Sequence, residues 1–577
     1  MHKFIAIFLI LQVTIVYSQN KIKSLTPYEV GNKNQTATYD ETLLFFQSLA
    51  TSYKSITLTT KGVSDQGNPM HLVLFDASGK TTEKHLNKSK QLVLINNLIH
   101  PGEPDGNDAT QQLFRDLAEK RIKVPENLII ACIPIYNVGG TLNRNAHSRV
   151  NQNGPETYGF RGNARNFDLN RDFIKNDTQN AKAFAEIYHW LQPIVFIDNH
   201  VSNGADYQYT FTYIQTQHQK LGPGLGNFMN DTMTPELMKQ MQAEGISTIP
   251  YVTVYGTTPE NGFHQMMDLP RYSSGYTSLF GTIGYLPETH MLKPYEERVK
   301  VTYVFMQKTI DFTDQHHTTI SKLKKELPKH YPVGSSYPIQ WSLDSTKVEK
   351  INFKGYTAGM KPSEVSGKDR LHYDSNQPFE KKVNYYLHYQ PKKTVTIPKA
   401  YIVPKVWWPI IERLQLNNIQ MTPLQKEETF EVEVYYIEDY ATVNQSYEGH
   451  YLHSNTKVKT SIERVTFQKG DFVISTQQPG IKYLLETLEP EAPDSFFNWN
   501  FFDSILQQKE GYSAYVFEDI AAELLKADTD LKQRFENKKA TDIDFAQNGK
   551  AQLDWVYKNS SYYEKEHNRY PVYRLVK

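Results

Sequence analysis

Four near-continuous apolar runs constrain this chain more than any other feature: HLVLFDA (71–77), QLVLINNLI (91–99), NLIIACIPIY (127–136) and PIVFIDN (193–199). A strand with one wet face alternates apolar and polar residues, whereas a strand covered on both faces is apolar throughout. These runs therefore predict inner strands of a sheet held between two layers. Helical periodicity lies between them. One helix is expected through Leu113, Leu117 and Ile122, capped by Asn107 or Asp108. Another is expected through Phe184, Ile187 and Leu191, capped by Asp177 or Thr178, with further helices over 235–245 and 294–312. Such alternation between residues 40 and 315 predicts an α/β domain with a mixed sheet and helices on both faces. In such sheets functional residues gather at the carboxyl ends of the strands.

The chain has 577 residues, too many for one core, and its texture changes after residue 325. Pro328, Pro332 and Pro338 cluster there, followed by strand-like VNYYLHYQ, AYIVP, FEVEVYYIEDY, KVKTSIERVTF and DFVIS. From about residue 480 helical patterns return, in IKYLLETLE, DSILQQ and FEDIAAELLKADTDLKQRFENKK. The expected division is a leader at 1–18, an α/β domain at 19–325 and a β-rich accessory region with C-terminal helices at 330–577. The leader reading rests on MHKFIAIFLILQVTIVYSQN: a short basic start, an apolar core from Phe4 to Val16, and small residues before a cleavage point after Ser18. Its apolar core is short for a bilayer span of about 20 residues. An exported protein, periplasmic or extracellular and without a membrane span after leader removal, is expected. Cys132 is the only cysteine and sits within an apolar run, so no intramolecular disulfide is possible and a buried thiol is expected. With 63 basic and 63 acidic residues, there is no electrostatic reason to expect nucleic acid or an anionic membrane as partner.

The second apolar run ends in His100-Pro101-Gly102-Glu103. A hydrolytic zinc site takes three protein ligands and leaves a position open. A histidine and a glutamate across a tight turn at a strand end could supply two of them. Three other segments strengthen that reading. PIVFIDNH ends another strand in His200, FDLNRDF gathers Asp168, Asn170 and Arg171, and GYLPETH presents Glu288. An arginine fork meets a carboxylate with two hydrogen bonds, which a lysine cannot copy.

As a set, these segments resemble the M14 family of zinc carboxypeptidases, the carboxypeptidase A type, over about residues 40–315, in the manner of a bacterial-like secreted member with a C-terminal addition. The resemblance implies a mixed eight-stranded-type sheet flanked by helices. It implies one Zn2+ per chain on His100, Glu103 and His200, with Glu288 as general base. Asn170 and Arg171 would hold the free carboxylate of a peptide substrate, and Asp168 would accept the remaining N–H of His100. Arg161, or Arg165 in its place, would stabilise the oxyanion. Tyr272, or Tyr276 in its place, would cover the bound terminus. One departure is Gly102, where the digestive enzymes of the family carry an arginine; that contact is either missing or supplied from elsewhere. Two other readings remain: a zinc amidase acting on cell-wall peptides or acyl-amino acids, and a non-catalytic binding protein on the same fold. Side-chain preference, oligomeric state and the role of 330–577 stay open.

Overall fold

The structure, a computed structural model, describes residues 25–576; the expected leader lies outside them. Ten strands belong to the first half of the chain: β1 (Ile56–Val63), β2 (Pro69–Phe75), β3 (Gln91–Asn96), β4 (Leu128–Ile133), β5 (Val195–Asp198), β6 (His200–Val201), β7 (Phe211–Gln215), β8 (Thr248–Pro250), β9 (Phe263–His264) and β10 (Ile283–Thr289). The main sheet runs β1-β2-β4-β3-β5-β10-β7-β8, and β6 continues the line of β5 by pairing with β10. Counting β5 and β6 as one strand interrupted at Asn199 gives the expected eight. Pairing is parallel across β4-β3-β5-β10 and at β7-β8, and antiparallel at β1-β2, β2-β4 and β10-β7. The sheet is therefore mixed.

Side-chain alternation along the inner strands sorts them into two cores. Val93, Ile95, Ile130, Cys132, Val195 and Ile197 face helices Tyr39–Ser52, Asp105–Ala118 and Tyr295–Glu326. Leu92, Leu94, Ile129, Ala131 and Phe196 face the opposite way, toward helix Gln179–Leu191 and a large apolar group from the second half of the chain. Tyr337, Tyr401, Ile410, Leu484, Trp499 and Tyr570 all lie in that shared core. At about 25 cal/mol per Å² of apolar area removed from water, such a shared core couples the stability of the two halves.

Helix Gln179–Leu191 is capped by Thr178, whose side chain accepts from the Ala181 N–H. The expected cap at Asn107 or Asp108 is corrected. The helix starts at Asp105 after Pro104 with no side-chain cap. Asn107 and Asp108 lie inside its first turns and point into the protein, donating to Thr42 and accepting from Tyr295 respectively. The helix expected over 294–312 runs on to Glu326, and that over 235–245 spans Thr234–Ala243.

In the second half, Glu349–Pro362 and Asp369–Tyr386 form a long hairpin whose end pairs with β9. A separate sheet has the order Thr422–Pro423, Phe472–Ser475, Ala400–Val403, Tyr573–Leu575, Glu428–Thr442, His453–Phe467. Helices Ala514–Ala527 and Thr529–Thr541, with Gly549–Lys558, make a small cluster of their own around Phe517, Phe535 and Val556. Among the described residues no helix is long and apolar enough to cross a membrane.

Candidate active site

β3 ends at Asn96, and the chain turns through Leu98, which takes a left-handed backbone (φ 59°), into His100. The Glu103 N–H closes the Pro-Gly turn on the His100 carbonyl at 2.8 Å. Both side chains thus leave the same strand end on the same side. Next along the sheet, His200 in β6 is paired in register with Glu288 in β10. One donor atom from each of His100, Glu103 and His200 lies within 4.8 Å of the others, and all three residues are only 4% exposed.

The donor set fits a metal, zinc by its two nitrogens and one oxygen. The buried His100 Nδ1 has no hydrogen-bond partner among the described residues, standing 3.3 Å from Glu103 Oε1, while Nε2 of the same ring donates to Asp168 Oδ1 at 2.9 Å. His200 repeats the arrangement: Nε2 meets Asp198 Oδ2 at 3.1 Å, and Nδ1 faces Glu103 Oε2 at 3.0 Å. Each imidazole is thus oriented from behind by a carboxylate, leaving Nδ1 for an ion. Asp198 is itself held by Ser273 Oγ and the Asn96 amide.

Charges respond accordingly. Burial alone would raise the Glu103 carboxyl, but Arg149, His100 and His200 outweigh it and hold it well below its usual range. Burial would lower His200, but Asp198 and Glu103 hold the imidazole well above its usual value. Glu288 responds in the opposite sense. Burial, with Glu103 and Asp198 nearby, pushes its carboxyl up to about 8 against the pull of His200. A metal bound at His200 Nδ1 must displace any proton the imidazole carries there. Zinc affinity, measured by competition with a chromophoric chelator, is therefore expected to fall as the solution is acidified. An affinity independent of pH would contradict imidazole ligation.

Across the site, a cleft of about 510 Å³ is lined by His100, Glu103, His200 and Glu288, and also by Arg161, Asn170, Arg171 and Tyr272. Asp168 begins a short 3-10 turn, Leu169–Arg171, by accepting the Asn170 N–H on Oδ1. Its Oδ2 takes Arg161 Nε at 3.0 Å, and another nitrogen of that guanidinium stands 3.6 Å from Glu103. The Asn170 side-chain oxygen accepts the Ser273 N–H, and the Arg171 guanidinium lies 4.7 Å from the centre of the Tyr272 ring. Arg165 is outside this group, exposed and over Phe167. Tyr276 is wholly buried among aromatic rings, bonded to Asn417. Of the competing pairs, Arg161 and Tyr272 are the members in the cleft.

The sequence reading missed Arg149. It lines the cleft, and its guanidinium meets Glu103 Oε1 at 2.7 Å. A Cβ on Gly102 would stand 2.2 Å from the Arg149 side chain, so the glycine makes room for this arginine. The cleft thus holds an arginine 46 residues beyond Glu103 where the turn itself has none. Asp198 was also missed, although Asp-Asn-His places it two residues before His200. Tyr251 and Tyr255, which complete the outer wall, carry no motif.

No protein-family model matches the chain. Among curated proteins it is similar to "Carboxypeptidase 2" of Trichophyton rubrum, 22% identical over 482 residues, spanning 80% of this chain and 83% of that one. "Carboxypeptidase 2" of Trichophyton equinum is 22% identical over 489 residues, with the same two shares. Because 80% of a 577-residue chain exceeds its first 330 residues, this likeness reaches past residue 330. Among solved structures, the carboxypeptidase A of Helicoverpa armigera overlaps 52% of this chain and 82% of its own, at 12% identity and a TM-score of 0.39, a distant overlap.

Proposed function

We propose that this chain is an exported zinc metallocarboxypeptidase that removes C-terminal amino acids from peptides. The observation that carries the reading is a single cleft holding both the His100, Glu103, His200 donor set and the Asn170-Arg171 pair. The relatives named carboxypeptidase 2 agree with it. Bound zinc supplies Lewis acidity toward the scissile carbonyl and lowers the pKa of a water molecule. The protein's own residues do the rest. Arg171, with Asn170, pairs with the terminal carboxylate, and Tyr272, whose ring lies against Arg171, closes over it. This clamp selects a chain end over an internal peptide bond. Glu288 takes a proton from the attacking water and delivers it to the leaving amine. Arg161, already charged beside Asp168, lies where it can stabilise negative charge developing on the carbonyl oxygen. Asp168 and Asp198 keep the two imidazoles oriented throughout. Domain limits of 19–325 and 330–577, and export through residues 1–18, belong to the same proposal.

The test is a digest of free-ended peptides followed by mass spectrometry. Single residues should leave from the C-terminus, stop leaving when a chelator removes the metal, and leave again when zinc is restored. Internal cleavage, or release that survives the chelator, would sink the reading.

A further inference from the structure

We propose that Glu448, on a hairpin tip of the accessory region, is a positioning residue for the cleft, fixing the backbone turn that carries Asp168, Asn170 and Arg171. The inference rests on the reading of that cleft as a carboxypeptidase site. Strands Glu428–Thr442 and His453–Phe467 pair, and between them the chain tightens into a turn. Tyr447 and His450 exchange backbone hydrogen bonds of 2.7 and 3.1 Å across it. Both residues at its corner are left-handed, Glu448 with φ 50° and Gly449 with φ 80°. Such a turn favours Asn-Gly, Asp-Gly or Gly-Gly, and a glutamate in the first place stores backbone strain. Glycine would serve the turn alone, so the reason for a glutamate must lie in its carboxylate.

That carboxylate reaches out of the accessory region. Oε2 accepts the Asp168 backbone N–H at 2.9 Å, across 280 residues of sequence. The tip is pressed against the same segment: a Cβ on Gly449 would lie 2.9 Å from the Phe167 ring. The buried Lys175 donates to the Glu448 carbonyl at 3.1 Å, and His450 Nε2 meets Asp177 at 2.6 Å. Residues 167–177 are thus held from outside at several points. With its N–H paired to Glu448, Asp168 directs one carboxylate oxygen to His100 and the Asn170 N–H and the other to Arg161. A tilt of this turn moves the support of a metal ligand and the carboxylate clamp together. The tip is in this sense a third layer of the site, behind Asp168, which is itself behind His100. A neutral oxygen can fill the same role, since the bond is accepted from an amide and burial and the neighbouring Asp168 push the Glu448 carboxyl up.

The experiment compares the full chain with its Glu448→Gly and Glu448→Gln variants. It reads the thermal midpoint, hydrogen exchange of peptides covering 161–177, and kcat and KM for release of a terminal residue. Glu448→Gly relieves the left-handed strain but removes the acceptor. Its midpoint should hold or rise while exchange across 161–177 accelerates and kcat/KM falls at least about tenfold; Glu448→Gln should stay within about threefold of the parent. The proposal is overturned if Glu448→Gly keeps the parental exchange pattern, if its midpoint falls with its activity, or if Glu448→Gln fails equally. Should the parent release no terminal residue, the proposed function falls, while the exchange comparison still decides what Glu448 does.

Discussion

Replacing Glu288 by glutamine is expected to slow release of a terminal residue by about 10²–10⁴ while leaving the zinc content unchanged. The side chain keeps its shape and loses its capacity to take a proton, and it is not one of the three residues whose donor atoms could together hold a metal. Thr212 Oγ1 bonds the Glu288 backbone carbonyl, so β10 should keep its place. A second measurement separates a chemical loss from a structural one. In the metal-free protein burial pushes the Glu288 carboxyl up to about 8, far above its ordinary value of 4.5. Folding then takes up a proton between those two values. The contribution of this group to stability is full below 4.5 and is lost as pH rises through about 8. Glutamine has no proton to lose. Stripped of metal, the variant should melt at or above the parent at pH 8, and the difference should shrink as the solution is acidified. Turnover within about tenfold of the parent would remove Glu288 from the chemistry.

Much of this arrangement is legible in the sequence, and the reason is local. His100, Glu103, His200 and Glu288 each stand at or beside the end of an apolar run, so a strand assignment carries the site assignment with it. The sheet itself was readable because its inner strands are apolar on both faces, as Leu94 and Ile95 show by entering opposite cores. What escaped depends on chain path. Nothing near Arg149 says that its loop folds back over Gly102, and nothing near Glu448 says that its turn lands on Phe167. Asn107 and Asp108 were misread as caps because a polar residue before an apolar run looks the same whether it faces water or a buried partner; here Thr42 and Tyr295 are the partners. The helical pattern in FEDIAAELLKADTDLKQRFENKK proves to be two helices divided at Asp528, whose side chain accepts the Leu531 N–H and starts the second. The second half of the chain packs on one face of the sheet and contacts residues 167–177, and both are tertiary properties that no local motif announces.

Arg171→Ala is expected to weaken kcat/KM for free-ended peptides by about 10² or more, chiefly through KM, since each hydrogen bond to a charged group contributes about 1.5–3 kcal/mol. The side chain is 23% exposed, so solvent screening places the effect toward the lower end of that range. Arg171→Lys keeps the charge without the fork and should fall between parent and alanine variant. The comparison that decides is with peptides whose terminus is amidated. A carboxypeptidase should handle them poorly, and in Arg171→Ala the gap between free and amidated ends should close, because the group that reads the carboxylate has gone. An amidase acting on cell-wall peptides or acyl-amino acids would turn over amidated and free substrates alike, with Arg171→Ala close to the parent on both. Gly102 motivated that alternative by suggesting a lost arginine. Arg149 beside Glu103 weakens the motive, since the cleft keeps a third guanidinium with Arg161 and Arg171. Three positive groups around one carboxylate-lined metal centre suit an anionic chain end better than a neutral amide. If discrimination between free and amidated ends survives in Arg171→Ala, another of these arginines reads the carboxylate, and Arg149 is the first to replace.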